Sequence, residues 1–225
     1  MPATLHRRFF RSRLAARLLL RVDPGPPGPD DVCFDATTPV LVRRALRRLP
    51  PGSRVLDLGT GASAVVGLAL WKRGGHRVTA ADVEPELVRS ARESVRRSGA
   101  PIAVVRSRFF DAVEVDALDA VVFNPPYVPT AAGERRGLPA SRRSQWDGGG
   151  DGAAVVREFC TELAALGRRL PALVGVNRRH LPRALVEAAV AAAPPLRVER
   201  VWRGRLLPVD IYELAVPPSS SDPRG

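Results

Sequence analysis

The sequence predicts an α/β chain built on a doubly wound, seven-stranded, mostly parallel sheet with one reversed strand. Three observations carry this. From residue 54 onward, short apolar runs alternate with longer helix-like runs, the pattern of strands joined by crossover helices. A glycine-rich turn, Gly59-Thr60-Gly61, directly follows the first short run. The last two strand-like runs, 196–203 and 209–216, are separated by too few residues for a helix and must pair antiparallel.

Taken in order, residues 40–49 read as a short helix closed by Pro50-Pro51-Gly52. Residues 54–58 (RVLDL) form a buried strand, and 64–73 a helix stopped by Gly74-Gly75. Residues 77–82 form the second strand. Residues 85–98 form a helix with proline in its first turn and Gly99 past its end. Strands follow at 102–106 and 119–123, a long helix at 151–168, a strand at 172–176, and a helix at 181–193 that stops at Pro194-Pro195. The domain is expected at 39–216. A basic N-terminal segment with a Pro/Gly linker occupies 1–38, and a Pro/Ser-rich disordered tail 217–225.

Composition bounds the function. The chain has 225 residues, 45% hydrophobic, which is a globular composition. Its longest apolar runs are too short to span a membrane. Cys33 and Cys160 make no disulfide framework or zinc spacing, and His6, His76 and His180 show no ligand spacing. No metal is expected, and a reduced, cytoplasmic setting is. The net charge is +12, from 35 basic and 23 acidic residues, and Lys72 is the one basic residue that is not arginine. Six of these charges fall in residues 1–22, which contain no acid. There Phe10, Leu14 and Leu18 recur at helical spacing, marking a basic amphipathic helix. That helix could cover the core, touch an acidic partner, or act as a targeting peptide.

Two segments carry chemistry. In the first, Asp57-Leu58-Gly59-Thr60-Gly61 joins strand to helix. Its glycines let backbone approach a ligand, and the helix start presents free N–H groups. Asp82 ends the second strand, where a carboxylate accepts the hydroxyls of a ribose. Gly59-x-Gly61-x-x-Ala64 also fits a loose dinucleotide pattern. Asp57, two residues before the glycines, suits a cationic amino-acid head better than a pyrophosphate. In the second segment, Asn124-Pro125-Pro126-Tyr127 follows a strand directly. Two prolines remove two donors and leave acceptors, beside an aromatic face. Such a site binds a planar amino group and aligns its nitrogen, as for a glutamine amide or the adenine amine.

These motifs resemble the class I S-adenosylmethionine-dependent methyltransferases, whose fold is Rossmann-like. Within that class they are similar to the HemK/PrmC family of protein glutamine methyltransferases that act on release factors. The segments that carry the resemblance are 55–61, 82–87 and 122–129, with Trp146-Asp147-Gly148-Gly149-Gly150-Asp151-Gly152 matching the compact branch that lacks an N-terminal helical domain. The resemblance implies S-adenosylmethionine as cofactor. It places Asp57, Gly59 and Gly61 along the cofactor's amino-acid end, Asp82 on the ribose, and Asn124 and Pro125 on the target amide with Tyr127 stacked against it. Segment 130–150 then covers the substrate. The implied partners are a protein substrate (a release factor or ribosomal protein) and a small activator subunit, with nucleic acid secondary. Two alternatives stay open: methylation of an adenine amino group in RNA or DNA, and a non-catalytic binding protein on the same fold. A nicotinamide-dependent enzyme is a distant fourth.

Three positions depart from the family pattern. Ser63 stands where glycine is usual, and Thr37-Thr38 where an aspartate-threonine pair is usual. Arg108 stands near the position of an aspartate that meets the adenine amine, with Asp111 the one nearby substitute. Arginine has no acceptor to offer there.

Overall fold

In a computed structural model the described residues are 13–23 and 35–218. The 24–29 turn, Cys33, His6 and most of the tail lie outside them. Helix α1 (Arg13–Leu20) and helix α2 (Thr37–Arg48) precede strand β1 (Arg54–Leu58). Then come α3 (Val65–Gly74), β2 (Arg77–Asp82), α4 (Pro85–Arg97), β3 (Ala103–Arg106) and β4 (Ala120–Phe123). The chain continues through α5 (Thr130–Arg135), a 3-10 segment at Ala140–Gln145, α6 (Ala154–Ala165), β5 (Ala172–Asn177), α7 (Arg183–Ala191), β6 (Arg197–Arg203) and β7 (Val209–Ala215).

The seven strands run in the order β3-β2-β1-β4-β5-β7-β6. The pairs from β3 to β5 are parallel, and β7 is antiparallel to both β5 and β6. This is the doubly wound sheet with one reversed strand. Its order reverses between β1 and β4, so a crevice opens beyond the carboxyl ends of those two strands.

Each face of the sheet buries its own apolar layer. One layer joins α2, α3 and α4 around Leu41, Leu68, Val88 and Leu173. The other joins α6 and α7 around Phe159, Leu163, Val186 and Tyr212. The central strands β1, β4 and β5 are buried almost throughout, as strands covered on both faces must be. Helix α4 shows the amphipathic pattern most plainly. It buries Leu87, Val88, Ala91, Ser94 and Val95 at spacings that form one stripe. The edge strand β6 is largely exposed and carries Arg197, Glu199, Arg200 and Arg203, charges that discourage edge-to-edge pairing.

Three differences from the sequence reading stand out. Helix α2 starts at Thr37, because the Asp35 side chain accepts the Thr37 and Thr38 backbone N–H groups and opens the helix early. Helices α6 and α7 are shorter than 151–168 and 181–193, since glycine and proline residues flank both ends. The expected Leu18 face of the N-terminal helix is corrected. Leu18 is 65% exposed, while Ala16 and Leu20, one turn apart, pack into the core, and Phe10 lies outside the described residues. Segment 130–150 holds α5 and the 3-10 segment.

Candidate functional site

A cavity of about 330 Å³ sits beyond the carboxyl ends of β1, β2 and β4. Asp57, Gly59, Gly61, Asp82 and Asn124 all line it. Pro125 and Tyr127 are buried behind the wall, and the second proline, Pro126, lines the cavity in their place.

The side of the cavity beside β1 and β2 is built from backbone. Gly59 and Gly61 both hold φ near +64°, which an L side chain adopts only with strain. A Cβ on Gly59 would stand 3.1 Å from the Phe123 ring, while one on Gly61 would meet open space. The turn is tied across the sheet by Thr60 N–H donating to the Ala81 carbonyl at 2.9 Å. Ser63 is accommodated in this turn at 9% exposure, and the left-handed conformation falls on Ala64 (φ +48°).

Asp57 is buried, and one carboxylate oxygen accepts from Thr60 Oγ1 at 2.6 Å and from the Gly67 N–H at 2.9 Å. Burial is the larger influence on its acidity and pushes the carboxyl up to about 7, against the lowering effect of those two bonds. Asp82 is raised too, mainly by burial. One of its oxygens accepts the Gly61 N–H at 2.9 Å and the other the Glu84 N–H at 3.1 Å. Each oxygen keeps a further lone pair, so the carboxylate is held in one orientation with capacity for two more donors.

The side of the cavity beside β4 is built from side chains far apart in sequence. Asn124 Nδ2 donates to Asp35 Oδ1 at 3.2 Å and lies 3.4 Å from Thr38 Oγ1. Asn124 Oδ1 is buried with no hydrogen-bond partner among the described residues. Tyr127 donates its hydroxyl to Asp35 Oδ2 at 2.5 Å and sits 2.7 Å from Thr37 Oγ1. Its ring stacks on His180, with centroids 6.4 Å apart. Burial, and then the charge of Asp35, hold the phenol well above its ordinary range. His180 is held low by burial first and by Arg136 second.

Segment 128–152 is pinned beside this side. Val128 N–H donates to the Trp146 carbonyl and Gly148 N–H to the Val128 carbonyl. Thr130 Oγ1 donates to Asp147 at 2.7 Å. Trp146 fills the space over Gly133, where a Cβ would come within 2.1 Å of its ring, and its indole N–H donates to the Pro139 carbonyl. The segment carries Ser144, Gln145 and Asp147 into the cavity wall. Arg108 lines the opposite wall and pairs with Glu158 at 3.2 Å, while Asp111 is not among the lining residues.

Asp35, which holds both Asn124 and Tyr127, is the residue of this arrangement that the sequence reading missed. Its signal is an Asp-x-x-Thr helix start at Asp35 and Thr38, which marks a cap without revealing what else the carboxylate touches. Cys160 is buried, and burial drives its thiol up to about 12, so it is inert. Among the described residues, no cluster of histidine, cysteine or carboxylate groups could hold a metal ion, and no helix is long and apolar enough to cross a membrane.

Residues 31–136 match the model of the methyltransferase small domain. The chain is 36% identical over 125 residues to the release factor glutamine methyltransferase of Geobacter sulfurreducens, an alignment covering 53% of this chain and 43% of that protein. It thus spans less than half the length of that relative. In fold it resembles a methyltransferase from Pyrococcus furiosus, with a TM-score of 0.62, 15% identity, and coverage of 96% of this chain and 98% of the other. A methyltransferase complex of E. cuniculi, responsible for methylation of a translation termination factor, aligns with a TM-score of 0.53 at 22% identity, covering 87% of this chain and 98% of the matched one.

Proposed function

We propose, from its class I methyltransferase fold and the release factor glutamine methyltransferases among its relatives, that the chain methylates the side-chain amide nitrogen of a glutamine in a translation protein, with S-adenosylmethionine as the methyl donor. The observation that carries this reading is the buried Asn124 Oδ1. It is a fixed, buried acceptor without a partner on a residue that lines the cavity, and an amide N–H group would supply the partner it lacks.

The residues present fit the cofactor. Asp57 would face its ammonium group, the glycine turn its amino-acid backbone, and Asp82 its ribose hydroxyls. S-adenosylmethionine supplies an electrophilic methyl group on a sulfonium sulfur. Asn124 Oδ1 accepts one N–H of the target amide and holds its nitrogen in line for attack. That nitrogen is a poor nucleophile, because its lone pair is delocalised into the carbonyl. Orientation and favourable electrostatics therefore supply the catalysis. Pro125 adds no N–H that would compete for the amide. A methylated, protonated amide is acidic enough to release its proton to water, so no strong base is required. Tyr127 supports this arrangement from behind the wall, through Asp35 and Thr37.

The substrate is a release factor or a ribosomal protein, and a small activator subunit assists, as the likeness to one chain of a two-component complex supports. A second reading, methylation of the adenine amine in nucleic acid, is favoured by the same acceptor and by the +12 charge. Incubating the protein with methyl-labelled cofactor and cell extract, then digesting separately with protease and nuclease, separates the two. Label lost to protease supports the protein substrate. Label that survives protease but not nuclease overturns it.

A further inference from the structure

We propose that Asp35 is a positioning residue that fixes which end of the Asn124 amide faces the substrate. The inference rests on the acceptor role given to Asn124 above. An asparagine amide is nearly symmetric in shape, so an isolated Asn124 could present either its oxygen or its NH2 group to the cavity. The two faces have opposite consequences. The oxygen attracts the N–H of a glutamine amide, and the NH2 group repels it.

A carboxylate removes the ambiguity, because it only accepts. Asp35 Oδ1 already takes the Thr37 and Thr38 backbone N–H groups at 3.0 and 3.1 Å and the Thr38 hydroxyl at 3.1 Å. Spending its proton on Asp35 leaves Thr38 Oγ1 an acceptor toward Asn124, 3.4 Å from Nδ2. Both partners of the Asn124 amide are therefore acceptors, and only its NH2 end fits between them. Oδ1 is left as the end turned away from Asp35, and it is the buried atom that lacks a partner. The second carboxylate oxygen takes the Tyr127 hydroxyl, so the same residue ties both ends of the Asn124–Tyr127 motif to the start of α2. Position 37, where the resemblance leads to an aspartate, carries Thr37. In this chain the carboxylate arrives from two residues earlier.

The test is D35N, which keeps the shape and one acceptor but lets the neighbouring amide turn either way. With the full chain and a glutamine-bearing acceptor, kcat should fall about tenfold or more while cofactor Kd stays within about twofold. Discrimination between a glutamine peptide and its glutamate counterpart, measured as competing inhibitors, should narrow, a change that loss of folding alone would not produce. Independently of activity, the Asn124 side-chain amide protons, followed by NMR, should exchange with solvent faster in D35N than in the wild type. If D35N does not fold, T38V removes the other acceptor and is read the same way. Wild-type kcat together with unchanged exchange would overturn the proposal. A wild-type protein that methylates no glutamine would sink the reading of function instead, and the exchange measurement would still decide Asp35.

Discussion

The two sides of the cavity are built by different means. On the β1–β2 side, backbone does the holding. Asp57 and Asp82 receive N–H groups from Gly67, Gly61 and Glu84, and two glycines with positive φ shape the turn. On the β4 side, side chains do the holding, and Asp35 reaches across 89 and 92 positions of sequence to Asn124 and Tyr127. A backbone site tolerates change in its neighbours and serves a ligand of constant shape. A side-chain site can be re-aimed by one substitution, which suits the choice of acceptor. The two sides should therefore fail separately.

The largest expected effect lies on the acceptor side. On the role proposed for Asn124, N124A should lower kcat by about a hundredfold or more while leaving cofactor Kd within about twofold. Calorimetry beside a transfer assay reads both numbers. Equal loss of both would erase the distinction between the sides.

D82A should do the reverse. Removing a carboxylate that accepts two donors should weaken cofactor binding by roughly ten- to a hundredfold, from about 1.5–3 kcal/mol for hydrogen bonds to a charged group. The KM for the acceptor should hold.

A smaller effect sharpens the cofactor side by pH. The Asp57 carboxyl titrates at about 7, so below that value it is mostly protonated and neutral. A cationic ligand favours the carboxylate, so affinity should fall as pH falls through 7 and a proton should be released on binding. Between pH 8 and 6.5 the loss should be about fourfold. D57N should bind more weakly and flatten this dependence. Kd measured across that range checks both.

The smallest effect falls outside both sides. His76 is buried, and neither ring nitrogen has a hydrogen-bond partner among the described residues. Burial holds it below its ordinary 6.5 and so disfavours the charged form in the folded state. Its contribution to stability is present above that value and is lost as pH falls below it. H76L should flatten the decline of Tm between pH 7 and 5.5 while leaving kcat and cofactor Kd unchanged. A change in either would place His76 within reach of the site.

This contrast also explains what could be read from residues alone. The strand–helix alternation and the glycine turn were legible because local periodicity and short-range spacing encode them, as with Asp57 and Gly59-Thr60-Gly61. Asn124 was legible because it follows a strand immediately. Asp35 was not, since its cap signature is local while its contacts are distant. The outward face of Leu18 was hidden for a related reason: helical spacing defines a stripe, and packing on α2 and α3 decides which stripe turns inward. The burial of Tyr127 behind the wall likewise depends on His180 and Asp35, which no spacing rule connects to it.

The central claim is that the acceptor is a glutamine side-chain amide. Tandem mass spectrometry of the protein fraction labelled by the wild type tests it most directly, by reading which residue carries the methyl group. The account predicts methyl on the side-chain nitrogen of a glutamine, absent when N124A replaces the wild type. Methyl on lysine, arginine or a nucleobase would contradict it.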